Sequence, residues 1–301
     1  MRDNLGDLMR EWLRKAKKKD FQAFAKLLTL LERGGTEGLT LTELRNPDKA
    51  AFRIGITGPP GAGKSTLIGQ LIGELRKRQL TVGILAVDPS SPFTQGAILG
   101  DRIRYADHFN DPEVFIRSIG SRGSLGGLSA AAYLMLRAYD VVGFDVVLIE
   151  TVGVGQTELE VMHVADFVSV VLVPESGDAI QAMKAGLLEI ADQFIVNKSD
   201  RPGAESLVRE LEASLQMGGQ TREQRVTVMQ TIATEGDGLS ELADFYLVQK
   251  SAGKASQNRT NPERLQWEAR ALLRAQFEQT LEKAVSQILT PDDLLKVIKK
   301  N

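Results

Sequence analysis

Phe52-Arg53-Ile54-Gly55-Ile56-Thr57 runs directly into Gly58-Pro59-Pro60-Gly61-Ala62-Gly63-Lys64-Ser65-Thr66. The first segment is an alternating apolar run that reads as a strand, and the second is a complete G-x-x-x-x-G-K-[ST] loop that opens a helix. Gly58, Gly61 and Gly63 let the backbone curl so that successive N–H groups face inward. The helix beginning near Lys64 sets its positive dipole end beneath an anionic phosphate chain. Lys64 is placed to reach the β and γ phosphates and Ser65 to ligate Mg²⁺, so Gly58 to Thr66 is expected to cradle a nucleoside triphosphate.

Outward from this loop, short β-branched runs alternate with helical stretches. Strands are expected near 52–57, 81–87, 114–119, 144–150, 166–173, 192–197 and 226–231. Such alternation predicts an α/β fold, a mainly parallel sheet flanked by helices, as in a P-loop nucleotide-binding domain. Ligands of these sheets bind beyond the carboxyl ends of the strands. There the sequence sets Gly58, Asp88, Glu150 and Asn197, after the first, second, fourth and sixth strands.

Apolar residues at helical spacing, among them Leu5, Leu8, Trp12, Phe24 and Leu28, make residues 1–45 a helical N-terminal extension; the nucleotide-binding domain is expected over 46–250. Lys15 to Lys19 reads as a solvated face. A polar stretch, Ser251 to Thr260, then leads through Pro262 into a helix whose apolar residues Leu265, Leu272, Leu273, Phe277, Leu281, Val285 and Ile288 form one stripe. Residues 251–301 are therefore expected to form a helical arm. Packing back on the domain and meeting a partner predict the same pattern.

The 301 residues are 43% apolar and carry a formal charge of −2, so no global field draws the chain to nucleic acid or to an anionic membrane. The absence of cysteine excludes disulfides, thiolate zinc sites and cysteine catalysis. His108 and His163 lack metal-ligand spacing. No apolar run reaches bilayer length, and the acidic N-terminus fits neither a signal nor a transit peptide, so a cytoplasmic location is expected.

Asn197-Lys198-Ser199-Asp200 chooses the base. The Asp200 carboxylate can accept from guanine N1–H and the exocyclic amine, a pattern adenine does not offer. Asn197 is expected to brace the loop and reach N7, Lys198 to cover the base, and the Ala233 N–H to meet O6. Glu150-Thr151-Val152-Gly153-Val154-Gly155-Gln156 reads as a switch: Gly153 donates its N–H to the γ-phosphate and Glu150 holds a Mg²⁺-bound water. Asp88 and Asp101 are further candidates for the Mg²⁺ environment, acting mostly through water. Asp101 also reads as a helix N-cap.

Together these strings, with Val87-Asp88-Pro89-Ser90-Ser91 and Ile98-Leu99-Gly100-Asp101, resemble the MeaB family, the methylmalonyl-CoA mutase-associated G proteins once labelled ArgK. The resemblance runs from about Ala25 to about Leu247. Two positions depart from it: Pro92-Phe93-Thr94-Gln95-Gly96 replaces a common Thr-Arg-Thr-Gly-Gly, and Ile232 stands where serine is common. In that family a glutamate replaces the aspartate of the usual D-x-x-G, and Glu150 occupies the place here. The resemblance puts Asp88 and Asp101 in the Mg²⁺ and first-switch region. It makes Pro174 to Glu189 a third switch, in which Lys184 couples nucleotide state to the partner; on its residues alone, Lys184 is a surface lysine. It implies a homodimeric GTPase, turning GTP into GDP and phosphate, that serves an adenosylcobalamin-dependent acyl-CoA mutase of the methylmalonyl-CoA mutase type. Catalysis would rest on Lys64, Asp101, Glu150 and Lys184. Rival readings are a GTPase for nickel insertion, a P-loop kinase linked to amino-acid transport, and a nucleotide-dependent scaffold.

Overall fold

The computed structural model describes residues 2–34, 44, 49–88, 105–120, 129–151, 159–174, 186–217 and 226–286, with the side chains of 2–5, 33, 34, 88 and 217 excepted. Seven strands form a single sheet: β1 (Phe52–Thr57), β2 (Val82–Asp88), β3 (Val114–Gly120), β4 (Val146–Thr151), β5 (Phe167–Leu172), β6 (Gln193–Asn197) and β7 (Thr227–Thr231). Their order is β3-β2-β4-β1-β5-β6-β7, and every pairing is parallel. The expected strands fall within two residues of these. All residues of β1, β4, β5 and β6 are buried, β1 included although its sequence alternates, because helices cover both faces of a parallel sheet.

The helices are α1 (Arg2–Ala16), α2 (Phe21–Gly34), α3 (Lys64–Lys77), α4 (Ala130–Val142), α5 (Leu187–Ile190), α6 (Ala204–Met217), α7 (Leu239–Ser251), α8 (Lys254–Thr260) and α9 (Pro262–Val285). One face of the sheet is covered by α1, α2, α4 and α6, the other by α3 and α7. The N-terminal helices share the main core: the Phe24 ring lies 4.6 Å from Phe115 and 5.1 Å from Tyr139, and Phe21 lies 5.2 Å from Phe115. Lys15 pairs with Glu11 and Lys19 with Glu113 on the solvated side.

The polar stretch before Pro262 is helical and serves as an anchor. Gly253, at φ +77°, turns the chain from α7 into α8, and Asn261 caps α9 by accepting from the Glu263 N–H at 2.9 Å. From α8 the Arg259 guanidinium donates to Asp140 (2.8 Å), Asp166 (2.8 Å) and the Ala51 carbonyl (2.7 Å), while Arg53 donates to Asp140 at 2.5 Å. Asn258 adds a bond to Asp166 at 2.9 Å. Burial opposes the charge on Arg259, but attraction to Asp140 and Asp166 outweighs it and raises its pKa; burial and then repulsion from Arg259 bring Arg53 down to about 10. Composition shows only a hydrophilic run here. Its partners, Asp140 and Asp166, are 119 and 93 residues away.

Of the apolar stripe on α9, Leu272 is buried, whereas Leu273 and Phe277 are 64% and 68% exposed, and Leu281 and Val285 are also exposed. The helix meets the domain along another side, through Arg137–Glu268 and the stack of Trp267 on His163 at 4.0 Å.

Arg259→Ala leaves Asp140 and Asp166 buried with fewer donors, and should lower unfolding stability by about 3 kcal/mol in a denaturant titration near pH 7. Burial pushes the Asp166 pKa up, but Arg259 and Arg53 hold it below the ordinary carboxylate value. Its contribution is therefore present above that ordinary value and is lost as pH falls through the lowered one. The gap between wild type and variant should narrow below about pH 4; a gap that stays constant with pH would contradict the anchor.

Candidate nucleotide site

β1 and β4 are neighbours, with Ile56 in register with Glu150, and their onward connections cover opposite faces of the sheet. A crevice therefore opens at their carboxyl ends, where such sheets bind ligands. The Thr57 and Thr151 hydroxyls join at 2.9 Å beneath it.

The phosphate loop leaves β1 at Gly58, whose φ of +136° and approach to the Val171 carbonyl exclude a side chain: a Cβ there would lie 2.1 Å from that oxygen. Gly63, at φ +85°, immediately precedes α3. Lys64 is buried, and its ammonium donates to the Gly58 carbonyl at 2.6 Å and the Pro59 carbonyl at 3.0 Å. Ser65 Oγ donates to Glu150 Oε1 at 2.6 Å, joining residues 85 apart. Glu150 is 1% exposed, and its other oxygen, Oε2, accepts from the Tyr105 hydroxyl at 2.5 Å. Both distances are those of charge-assisted O–H···O⁻ bonds. The Ser65 hydroxyl donates its hydrogen bond to the carboxylate, so the lone pairs of Oγ point away from Glu150. With two carboxylate oxygens beside it, this donor set suits a hard cation such as Mg²⁺.

The base loop is tied to the phosphate loop by Asn197. Its Nδ2 donates to the Ala62 carbonyl at 2.9 Å, and its Oδ1 accepts from Thr231 Oγ1 and from the Ala233 N–H, each at 3.1 Å. The Ala233 N–H thus braces Asn197 here. Lys198 adopts φ +55° and donates its ammonium to the Gly61 carbonyl at 2.9 Å, laying its stem across the loops. Asp200, at the turn after β6, is exposed.

The structure thus brings together Gly58 to Thr66, Glu150, Asn197, Lys198 and Ala233 at one end of the sheet, with Asp88 ending β2 nearby in the strand order. The Asp88 side chain, Asp101, Gly153 and Lys184 lie outside the described residues. Of the two histidines, His108 Nε2 meets the Gly69 carbonyl of α3 at 2.7 Å and His163 stacks on Trp267. The sequence reading missed Tyr105, whose only signal was an aromatic residue four positions after Asp101. Of the segment Thr231 to Thr234 it used only a backbone N–H, and not the Thr231 hydroxyl that donates to Asn197.

A model of the family described as methylmalonyl Co-A mutase-associated GTPase MeaB matches residues 24–288. The chain belongs to the MeaB family. It is a P-loop GTPase, which binds GTP and GDP. Among its MeaB-like relatives, a Pyrococcus horikoshii protein named as a candidate GTPase is 41% identical over 296 residues, covering 96% of this chain and 92% of that one. GTPase ArgK of Escherichia coli is 40% identical over 180 residues, 54% of each chain. The mouse protein named methylmalonic aciduria type A homolog, mitochondrial, is 37% identical over 210 residues, 67% of this chain and 50% of that one. A crystal structure described as a LAO/AO transport system kinase has TM-score 0.64 at 25% identity, covering 97% and 96% of the two chains. HypB from Helicobacter pylori, solved with nickel, shares the fold at TM-score 0.51 and 16% identity, covering 68% of this chain and 90% of that one.

Asn197→Ala strands the Thr231 hydroxyl, the Ala233 N–H and the Ala62 carbonyl. The expected loss is about 1–3 kcal/mol of stability, together with at least about a tenfold drop in affinity for a fluorescent GDP analogue. Unchanged GDP affinity would separate the two loops energetically.

Proposed function

We propose that this GTPase couples its nucleotide cycle to an adenosylcobalamin-dependent acyl-CoA mutase of the methylmalonyl type, gating cofactor loading and protecting the enzyme. The observation that carries this reading is the family match over residues 24–288, since the family description itself names association with methylmalonyl-CoA mutase. The likeness to the mouse methylmalonic aciduria protein supports the same assignment.

In the proposed reaction, water attacks the γ-phosphorus of GTP, the β–γ bridging bond breaks, and GDP leaves with the electron pair. Positioning and charge neutralisation do the work. Lys64 would exchange its carbonyl partners for the stronger charge-assisted contact with β and γ oxygens, and the loop N–H groups from Gly58 to Thr66 would hold the phosphates. Ser65 directly, and Glu150, Asp88 and Asp101 through water, would hold a Mg²⁺ ion that supplies charge neutralisation. Gly153 would sense the γ-phosphate. Asp200 would read guanine, with Asn197, Lys198 and Ala233 shaping its pocket, and Lys184 would relay the nucleotide state to the mutase.

We further assign the exposed face of α9 to a homodimer. Leu273, Phe277, Leu281 and Val285 recur every fourth residue and stay uncovered while the same helix is anchored elsewhere, which supports a second copy as occupant. No described helix is long and apolar enough to cross a membrane, and a cytoplasmic location remains part of this reading. A kinase reading draws on the likeness to the LAO/AO transport system kinase. It predicts transfer of the γ-phosphate to a second substrate rather than to water.

Phosphate release from GTP, measured with and without an adenosylcobalamin-dependent acyl-CoA mutase, tests the proposal. Slow basal turnover stimulated by the mutase is expected, and indifference to the mutase in both GDP and GTP states would overturn the partner assignment. Asp200→Asn should shift preference from GTP toward xanthosine triphosphate by about tenfold or more. Phe277→Glu should shift the sedimentation profile to the monomer at micromolar concentration without changing GDP affinity.

A further inference from the structure

We infer that Tyr105 is a positioning residue for the metal-bound nucleotide: its hydroxyl fixes the Glu150 carboxylate in the one orientation that serves Mg²⁺. The inference rests on the proposed Mg²⁺ role of Ser65 and Glu150, and takes that role one residue further.

The argument begins with the length of the Glu150 side chain. A glutamate at the end of β4 has one more rotatable bond than the aspartate of the usual D-x-x-G motif, and the terminal torsion of a glutamate is broad and weakly restrained. A carboxylate held at one oxygen can still swing about that contact. Ser65 supplies one contact, 2.6 Å to Oε1, and Tyr105 supplies the second, 2.5 Å to Oε2. Two hydroxyls on two different oxygens fix the carboxylate plane. A carboxylate offers about four lone-pair positions, so one remains on each oxygen to accept from metal-bound water.

Tyr105 is itself rigidly held. It is 1% exposed and belongs to the same buried cluster as Ile56, Leu67, Ile84 and Leu148, between α3 and the sheet. The turn that begins at Tyr105 is closed by the His108 N–H donating to the Tyr105 carbonyl at 3.0 Å, and is pinned to α3 by His108 Nε2 at the Gly69 carbonyl, 2.7 Å. Its ring position is therefore set by packing, and its hydroxyl is the polar tip that packing aims at Glu150. A buried tyrosine hydroxyl needs a hydrogen-bond partner, and the partner this one meets is the second oxygen of the Glu150 carboxylate, opposite the oxygen that Ser65 holds. Tyr105 makes this contact from a position four residues after Asp101, another of the proposed Mg²⁺ neighbours.

The test is a Mg²⁺ titration of the dissociation rate of a fluorescent GDP analogue, read by displacement with excess GDP. In the wild type, Mg²⁺ should slow release. Tyr105→Phe keeps the ring and removes the hydroxyl. It should raise the Mg²⁺ concentration at half effect by about tenfold, the lower end of the range for losing an outer-shell partner, with GDP affinity in EDTA unchanged. Tyr105→Met, an apolar filler of different shape, should behave alike and separates hydroxyl loss from any packing fault of the first variant. In a Glu150→Gln background the Tyr105→Phe effect should disappear, since the two act as one unit. An unchanged Mg²⁺ midpoint in Tyr105→Phe, with a normal wild-type response, would overturn the positioning role alone. Absence of any Mg²⁺ response in the wild type would overturn the Mg²⁺ reading beneath it.

Discussion

The hydrogen bond from Ser65 to Glu150 can form only where β1 and β4 lie side by side in a parallel sheet, because the two residues are 85 positions apart and sit just beyond, or at, the carboxyl ends of their strands. Parallel pairing puts those ends at one edge, and connections to opposite faces leave a crevice between them. The fold therefore supplies proximity and the side chains supply chemistry. A buried glutamate joined to two hydroxyls is costly to assemble unless the surroundings are fixed in advance. The Thr57–Thr151 contact and the close approach of Gly58 to the Val171 carbonyl provide that rigidity at the root of the loop.

Asn197 extends the same logic toward the base. It spends its amide on three partners from two loops, the Ala62 carbonyl on one side and Thr231 and Ala233 on the other. The phosphate loop is thereby tied through one side chain to the turn that carries Asp200. Asn197 is buried rather than displayed because these three bonds need it between the two loops.

The sheet and the phosphate loop were legible because their causes are local: short buried strands force apolar runs, and a left-handed backbone needs glycine at Gly58 and Gly63. Asn197 and Glu150 were legible because each follows such a run. What stayed hidden depends on distant partners. Arg259 looks like any surface arginine until Asp140 and Asp166 meet it, and Tyr105 carries no motif because its role is defined by a carboxylate 45 residues away. The stripe on α9 was visible, yet periodicity cannot say which apolar residues face the domain: Leu272 does and Leu273 does not.

The anchoring network and the nucleotide crevice lie at opposite ends of the same strands. Arg53 and Asp166 stand at the amino ends of β1 and β5, whereas Gly58 and Lys64 lie past the carboxyl end of β1. β1 is buried along its whole length and spans the distance between the two sites. The segment from Val161 to Asp166 is different. It follows β4 and the Glu150 loop in sequence, packs Val161 against Gly55 of β1 so closely that a Cβ on the glycine would lie 2.5 Å from it, and presents His163 to Trp267 and the Ala165 carbonyl to Arg264 at 2.6 Å. Among the described residues it is the stretch that follows β4 in sequence and touches α9. The sheet and this turn both hold the C-terminal arm: Arg53 of β1 shares Asp140 with Arg259, and the turn contributes His163 against Trp267 and the Ala165 carbonyl to Arg264, so the arm is fastened both to the strand that carries the phosphate loop and to the segment that follows β4.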